Sequence, residues 1–129
     1  NIAGVALIAD GRRQNGVGQN PGRKVGGVGA EIALQPVSGL VQPIVPGASM
    51  RGARPNGFGS LADRTFQICA PNDSVCDAPP NVSNALERAQ GLIAANGVHA
   101  QYASNSGVID GTTANQWVVG WAHQLIDGA

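Results

Sequence analysis

The chain has 129 residues, the size of one small domain, and a formal net charge of zero. With 43% apolar and 12% charged residues, it lacks the basic excess of a nucleic-acid binder and the charge density of a disordered chain. The charge is uneven: Arg12, Arg13, Arg23, Lys24, Arg51, Arg54 and Arg64 precede a second half in which Arg88 stands alone against five acids. The basic half either keeps a Gly-rich loop solvated or faces an anionic surface or an acidic partner segment.

The string Ile2-Ala-Gly-Val-Ala-Leu-Ile-Ala9 is a continuous apolar run ended by Asp10-Gly11. Apolar on both faces, it fits a central strand of a parallel sheet covered by helices on both sides. From Gly11 to about Gly59 the chain is rich in Gly and Pro, with apolar patches at Glu31-Ile-Ala-Leu34 and Leu40-Val-Gln-Pro-Ile-Val45. We read it as a long irregular loop with short ordered pieces, of the kind that serves as a lid or binding wall. It is no linker, since neither flank could fold alone. Within it, Gly16-Val-Gly18-Gln-Asn-Pro-Gly22 imitates a phosphate loop, but the spacing is wrong and no Gly-Lys-Ser/Thr follows.

Thr65-Phe-Gln-Ile-Cys69 alternates as a second strand and delivers Cys69 and Asp73 at its carboxyl end. Asn84-Ala-Leu-Glu87 has capping-box spacing, which predicts a helix with Asn84 as N-cap, running to about Asn96 and stopped by Gly97. Thr113-Ala-Asn-Gln116 repeats the pattern. Its helix places Trp117, Val118, Trp121 and Leu125 on one stripe, which is core packing and not a cofactor box, with His123 a surface or packing residue. No apolar run reaches the length of a membrane span.

Two strands cannot make a stable sheet. The expectation is therefore that residues 1–129 are the back, C-terminal portion of an α/β domain whose front portion is a separate or missing chain. The start at Asn1, with neither Met nor signal peptide, adds the expectation that something upstream has been removed.

Two cysteines, Cys69 and Cys76, with no third, read as one local disulfide of an exported protein. A metal pair is the alternative, but two distant histidines and the lack of H-E-x-x-H supply no ligand set, so neither metal nor cofactor is expected. Closing so short a loop contributes only about 2 kcal/mol; its main effect is to fix Asp73. His99, in His99-Ala-Gln-Tyr102, follows that aspartate. A rigidly held carboxylate suits orienting a histidine, and an oriented histidine suits taking a proton from a nucleophile. The competing reading is a surface Asp and a structural His; Tyr102 is read as packing beside the histidine loop. No nucleophile is visible: Gly47-Ala-Ser49-Met-Arg51 lacks a second glycine and follows no strand. Asn72-Asp-Ser74 and Asn81-Val-Ser83 are glycosylation sequons, and a glycan on Asn72 would crowd Asp73.

At these residues the chain resembles the cutinase-like branch of the α/β-hydrolase serine esterases. The run Ile2-Ala-Gly-Val-Ala-Leu-Ile resembles the strand after the nucleophile helix, and Asp63-Arg-Thr-Phe-Gln-Ile-Cys69 resembles the family's lead-in to its cysteine. Cys69-x3-Asp73-x2-Cys76 resembles the disulfide loop with the catalytic aspartate, and His99-x2-Tyr102 the histidine motif. Residues 14–57 do not match compact fungal members; their Gly-, Ala- and Arg-rich composition is closer to actinobacterial, especially mycobacterial, ones. The resemblance implies a three-layer α/β sandwich with a central parallel sheet, of which this is the C-terminal part. It implies a catalytic Ser and an oxyanion hole upstream of Asn1, on an N-terminal fragment that would be this chain's partner.

The implied activity is a secreted or cell-envelope serine esterase cleaving lipid or glycolipid esters, mycolate esters such as trehalose dimycolate among them. Asp73 and His99 would be its catalytic residues here, without nucleic acid as a partner. The enlarged span between Asp73 and His99, together with the long basic loop, would wall the cleft for a bulky lipid. Cleavage before Asn1 would then free the site. The competing functions are a catalytically inactive hydrolase-like module binding envelope glycolipid or a protein, and a plain truncation with no natural two-chain state.

Overall fold

The structure is a computed structural model that describes residues 2–93 and 97–128. The expected helix end at Asn96 lies outside the described residues, as does Asn1. The apolar runs form two parallel strands, β1 (Val5–Ile8) and β2 (Thr65–Ile68), in register from Val5 opposite Thr65 to Ile8 opposite Ile68. The helices among the described residues are α1 (Ala30–Ala33), α2 (Ser38–Val41), α3 (Ala85–Ile93) and α4 (Ala114–Asp127). Tight 3-10 turns occupy Gln35–Val37, Gly59–Arg64 and Gly97–Ala100. The result is a small α/β arrangement. None of these helices is long and apolar enough to cross a membrane.

Helix α4 covers one face of the strand pair. Its start is a full capping box: the Gln116 N–H donates to Thr113 Oγ1 at 3.1 Å and the Thr113 N–H to Gln116 Oε1 at 3.3 Å. Trp117 and Trp121 stack 6.1 Å apart, and Phe66 of β2 meets them at 5.4 and 5.9 Å. At Gly4 a Cβ would lie 2.7 Å from the Trp121 ring, so the missing side chain lets α4 seat against the start of β1. Ile68 joins Tyr102, Val108, Ile109 and Ala114 in the core beneath Trp117 and Val118.

The polar side chains of β2 donate to nearby backbone carbonyls, while the buried Gln67 Oε1 has no hydrogen-bond partner among the described residues. Thr65 Oγ1 donates to Leu61 O at 2.8 Å, and the Gln67 amide donates to Val17 O. Gln19 closes the outer edge of β2, donating its N–H to Thr65 O at 2.7 Å and accepting from Gln67 N–H at 2.8 Å. The Gly-rich segment that imitated a phosphate loop is thus a sheet-edge strap. The outer edge of β1 has no strand beside it among the described residues.

Three arginines hold the long loop together, where the sequence suggested solvation or an anionic partner. Arg54 forms a two-pronged pair with Asp10 (2.6 and 2.9 Å) and lies over the Phe58 ring. Arg12 donates to the carbonyls of Gly52 at 2.9 Å and Ala53 at 3.2 Å. Arg13, only 4% exposed, donates to Cys76 O at 2.8 Å, Asn15 Oδ1 at 2.9 Å and Gly27 O. Gly29 passes so close to Gly11 that a Cβ would lie 2.1 Å from the Gly11 carbonyl oxygen, which restricts that position to glycine.

Helix α3 begins differently from expectation. Asn84 takes φ 54°, in the left-handed region, and not the extended conformation of an N-cap. The entry is gripped by Arg88, which donates to Pro79 O at 2.8 Å, Ser83 O at 3.0 Å and Asn81 O. Ala89 of α3 shares a small core with Leu34 and Val41, flanked by Val45, Met50 and Leu92. The two insertions singled out in the sequence therefore pack against each other.

Burial opposes ionisation of Asp10, but the bond from Arg54, the Arg12 N–H and both guanidinium charges outweigh it and hold the carboxyl below its ordinary value. A depressed native value contributes stability that is complete above the unfolded value of about 3.9 and is lost as pH falls through the native one. Asp10→Asn is accordingly expected to cost about 1–2 kcal/mol at neutral pH. Urea unfolding of the variant and the parent should diverge above about pH 5 and converge in acid.

Candidate active site

The carboxyl end of β2 runs straight into the loop that carries the candidate residues. Cys69 and Cys76 are disulfide-bonded with their Cα atoms 6.0 Å apart, and both are buried against Val25. Between them the chain turns sharply, with Asn72 at φ 70°. The Asp73 N–H donates to Ala70 O at 3.1 Å and the Asp77 N–H to Asp73 O at 2.7 Å. Asp77 ties the loop to its neighbours, accepting from Gly27 N–H and Asn72 N–H, both at 2.8 Å. With Arg13 on Cys76 O, the turn is fastened by one covalent and several polar links.

The Asp73 side chain has no exposed surface. Its charge is met by three donors. The Val75 N–H donates to Oδ1 at 2.9 Å, the Tyr102 hydroxyl to Oδ2 at 2.7 Å, and His99 Nδ1 lies 3.1 Å from Oδ1 and 2.9 Å from Oδ2. A proton on Nδ1 facing the carboxylate leaves the Nε2 lone pair free to accept another. The His99 side chain is 34% exposed, so that nitrogen belongs to a group open to a reacting partner. His99 is delivered by the 3-10 turn Gly97–Ala100, and Tyr102 follows it into the core.

The structure thus brings together Asp73, His99, Cys69 and Cys76. Among the described residues no serine, threonine or cysteine is hydrogen-bonded to His99. Ser49 lies in the wall of a cavity of about 550 Å³ with Met50, Val75 and Leu92, and the chain around it is irregular. A second cavity of about 280 Å³, lined by Ser74, Pro79 and Arg88, shares Ala30 and Leu92 with the first. His123 is exposed on α4. Among the described residues no cluster of three or more His, Cys, Asp or Glu could hold a metal.

Tyr102 is the participant that sequence reasoning placed only as packing. Its ring meets His99 edge-on at 6.4 Å, and its hydroxyl also accepts the Ala70 N–H at 2.8 Å. Burial first, then the bond to Asp73 and the charges of Asp73 and Asp77, push its phenol well above the ordinary value, against the Ala70 bond. It therefore stays a donor throughout the neutral range. The signal available was its spacing, since His99-x2-Tyr102 around a tight turn can return a side chain to the same carboxylate.

No family model matches the chain. It is 65% identical over 127 residues to the carboxylesterase Culp6 homolog of Corynebacterium glutamicum, a match covering 98% of this chain and 41% of that protein. The chain thus spans about two-fifths of the length of this curated relative, and the likeness supports an ester-hydrolase family.

Removing the disulfide by a Cys69→Ala, Cys76→Ala double substitution is expected to lower stability by about 2 kcal/mol, read by urea unfolding. Reduction of the parent protein should reproduce most of that loss.

Proposed function

We propose that this chain supplies the Asp–His pair of a serine esterase of the cutinase-like α/β-hydrolase kind, as the C-terminal portion of that domain. The observation that carries the reading is the contact of the fully buried Asp73 carboxylate with Nδ1 of the part-exposed His99. The carboxylesterase relative, more than half of whose length lies outside the match, supports a nucleophilic serine and oxyanion hole on other polypeptide of the same protein. The open edge of β1 supports further strands from that source.

In this reading His99 Nε2 takes the serine proton as the hydroxyl attacks the ester carbonyl, then gives it to the departing alkoxide, releasing the alcohol. Water, deprotonated by the same nitrogen, then attacks the acyl carbonyl; the serine–acyl bond breaks, Nε2 returns the proton to the serine oxygen, and the acid leaves. Asp73 fixes the imidazole tautomer and stabilises the imidazolium in both halves. The substrate is an acyl ester of a lipid or glycolipid, with mycolate esters within the class, met at the cell envelope after export. Support for a long acyl chain comes from the two cavities between the disulfide loop and the joined insertions, both bordered by Leu92.

In the full-length protein, His99→Ala and Asp73→Asn should each lower kcat for a short-chain nitrophenyl ester by about 10³–10⁴-fold while the fold persists. A fluorophosphonate probe should label the parent protein. Parent-like turnover in both variants, with no labelling, would refute the reading. Leu92→Gln should reduce kcat/KM for long-chain esters several-fold more than for short-chain ones; equal loss for both would remove the acyl assignment.

A further inference from the structure

We propose that Tyr102 is a positioning residue for this hydrolysis, its hydroxyl holding Oδ2 of Asp73 and so setting the aim of the carboxylate that faces His99. The inference rests on the esterase reading above and assigns a role to a residue outside the Asp–His pair.

The geometry is directional at every link. The Ala70 N–H, in the chain just past the end of β2, donates to the Tyr102 oxygen at 2.8 Å. With that oxygen acting as acceptor, its proton is turned to Asp73 Oδ2 at 2.7 Å. The Val75 N–H holds the other oxygen at 2.9 Å. Both oxygens are therefore pinned from the protein side, and the plane of the carboxylate is set before His99 meets it. Tyr102 is 7% exposed and packed with Ile68, Val108, Ile109 and Ala114, so its ring cannot swing the hydroxyl away without opening the core. A phenylalanine would fill the same volume, so nothing about packing requires the hydroxyl. Its position is explained by the carboxylate and the Ala70 N–H that it bridges.

The consequence is electrostatic as well as geometric. A strong donor on Oδ2 draws charge away from the face that meets the imidazole. The other ionisable groups around this cluster are Asp77, on the disulfide loop, and the buried Arg13, which bonds Cys76 O from the long loop. Both exert charge on Tyr102, and neither replaces its hydrogen bond to Asp73. Without the hydroxyl, Oδ2 loses its donor from the core and more of the Asp73 charge faces the imidazole ring.

The test is Tyr102→Phe in the full-length protein, with pH–rate profiles on a short-chain nitrophenyl ester. We expect kcat about tenfold lower, KM within about twofold, and the acid limb of the profile moved up by roughly half a pH unit. A residue that merely packed would leave that limb in place. Should the phenylalanine variant fail to fold, 3-fluorotyrosine at position 102 keeps the ring and strengthens the donor, so the limb should move to lower pH. An unmoved limb in the folded variant overturns the inference. His99→Ala run in parallel separates the two failures. If it is inactive while Tyr102→Phe matches the parent, only the Tyr102 role falls. If it is fully active, the esterase reading falls and takes this inference with it.

Discussion

Taking the Asp73 carboxylate out of water is the constraint to which the second half of this chain is fitted. A buried charge without partners costs several kcal/mol, and here both oxygens are met: a backbone N–H on one, a tyrosine hydroxyl on the other, an imidazole across the pair. Each donor comes from a different piece of structure. The Val75 amide needs the tight turn that the disulfide closes, Tyr102 needs the core under α4, and His99 needs the 3-10 turn before it. The three must form together for any one of them to be worth forming. Networks of this kind are stable only when complete.

The long loop serves the same end from the other side. Arg13 reaches from the segment after β1 to the carbonyl of Cys76, and the Gly27 amide reaches the carboxylate of Asp77. A segment low in regular structure thus behaves as a scaffold, with arginine forks doing by hydrogen bonds to carbonyls what a sheet ladder does elsewhere. Beyond Gly29 it becomes apolar and meets α3, and there the pair of insertions builds a small core separate from that beneath α4.

Both strands, the Thr113 capping box and the disulfide were legible in the sequence because each is a local pattern: an apolar run, a four-residue spacing, two cysteines. The meeting of Asp73 with His99 was legible through the resemblance, since spacing alone does not bring residues 26 apart into contact. What stayed hidden were partners without a side-chain signature. Arg12, Arg13 and Arg88 bond backbone carbonyls, and any carbonyl in the chain looks alike in a sequence. Asn84 misled because asparagine favours both the N-cap and the left-handed conformation, and here the second won. Tyr102 was hidden for a related reason: a buried aromatic ring is explained well enough by its area, so its hydroxyl goes unasked.

The bare side of β1 has a consequence for handling the molecule. Val5, Ala6, Leu7 and Ile8 present a row of amides and carbonyls with apolar side chains on both sides, and Ile8 is 37% exposed. Such a ribbon is a template for intermolecular pairing. Left uncovered, this ribbon would recruit copies of the same chain, and solutions should turn cloudy as concentration rises. Masking that ribbon with a lysine is the route to keeping it dispersed.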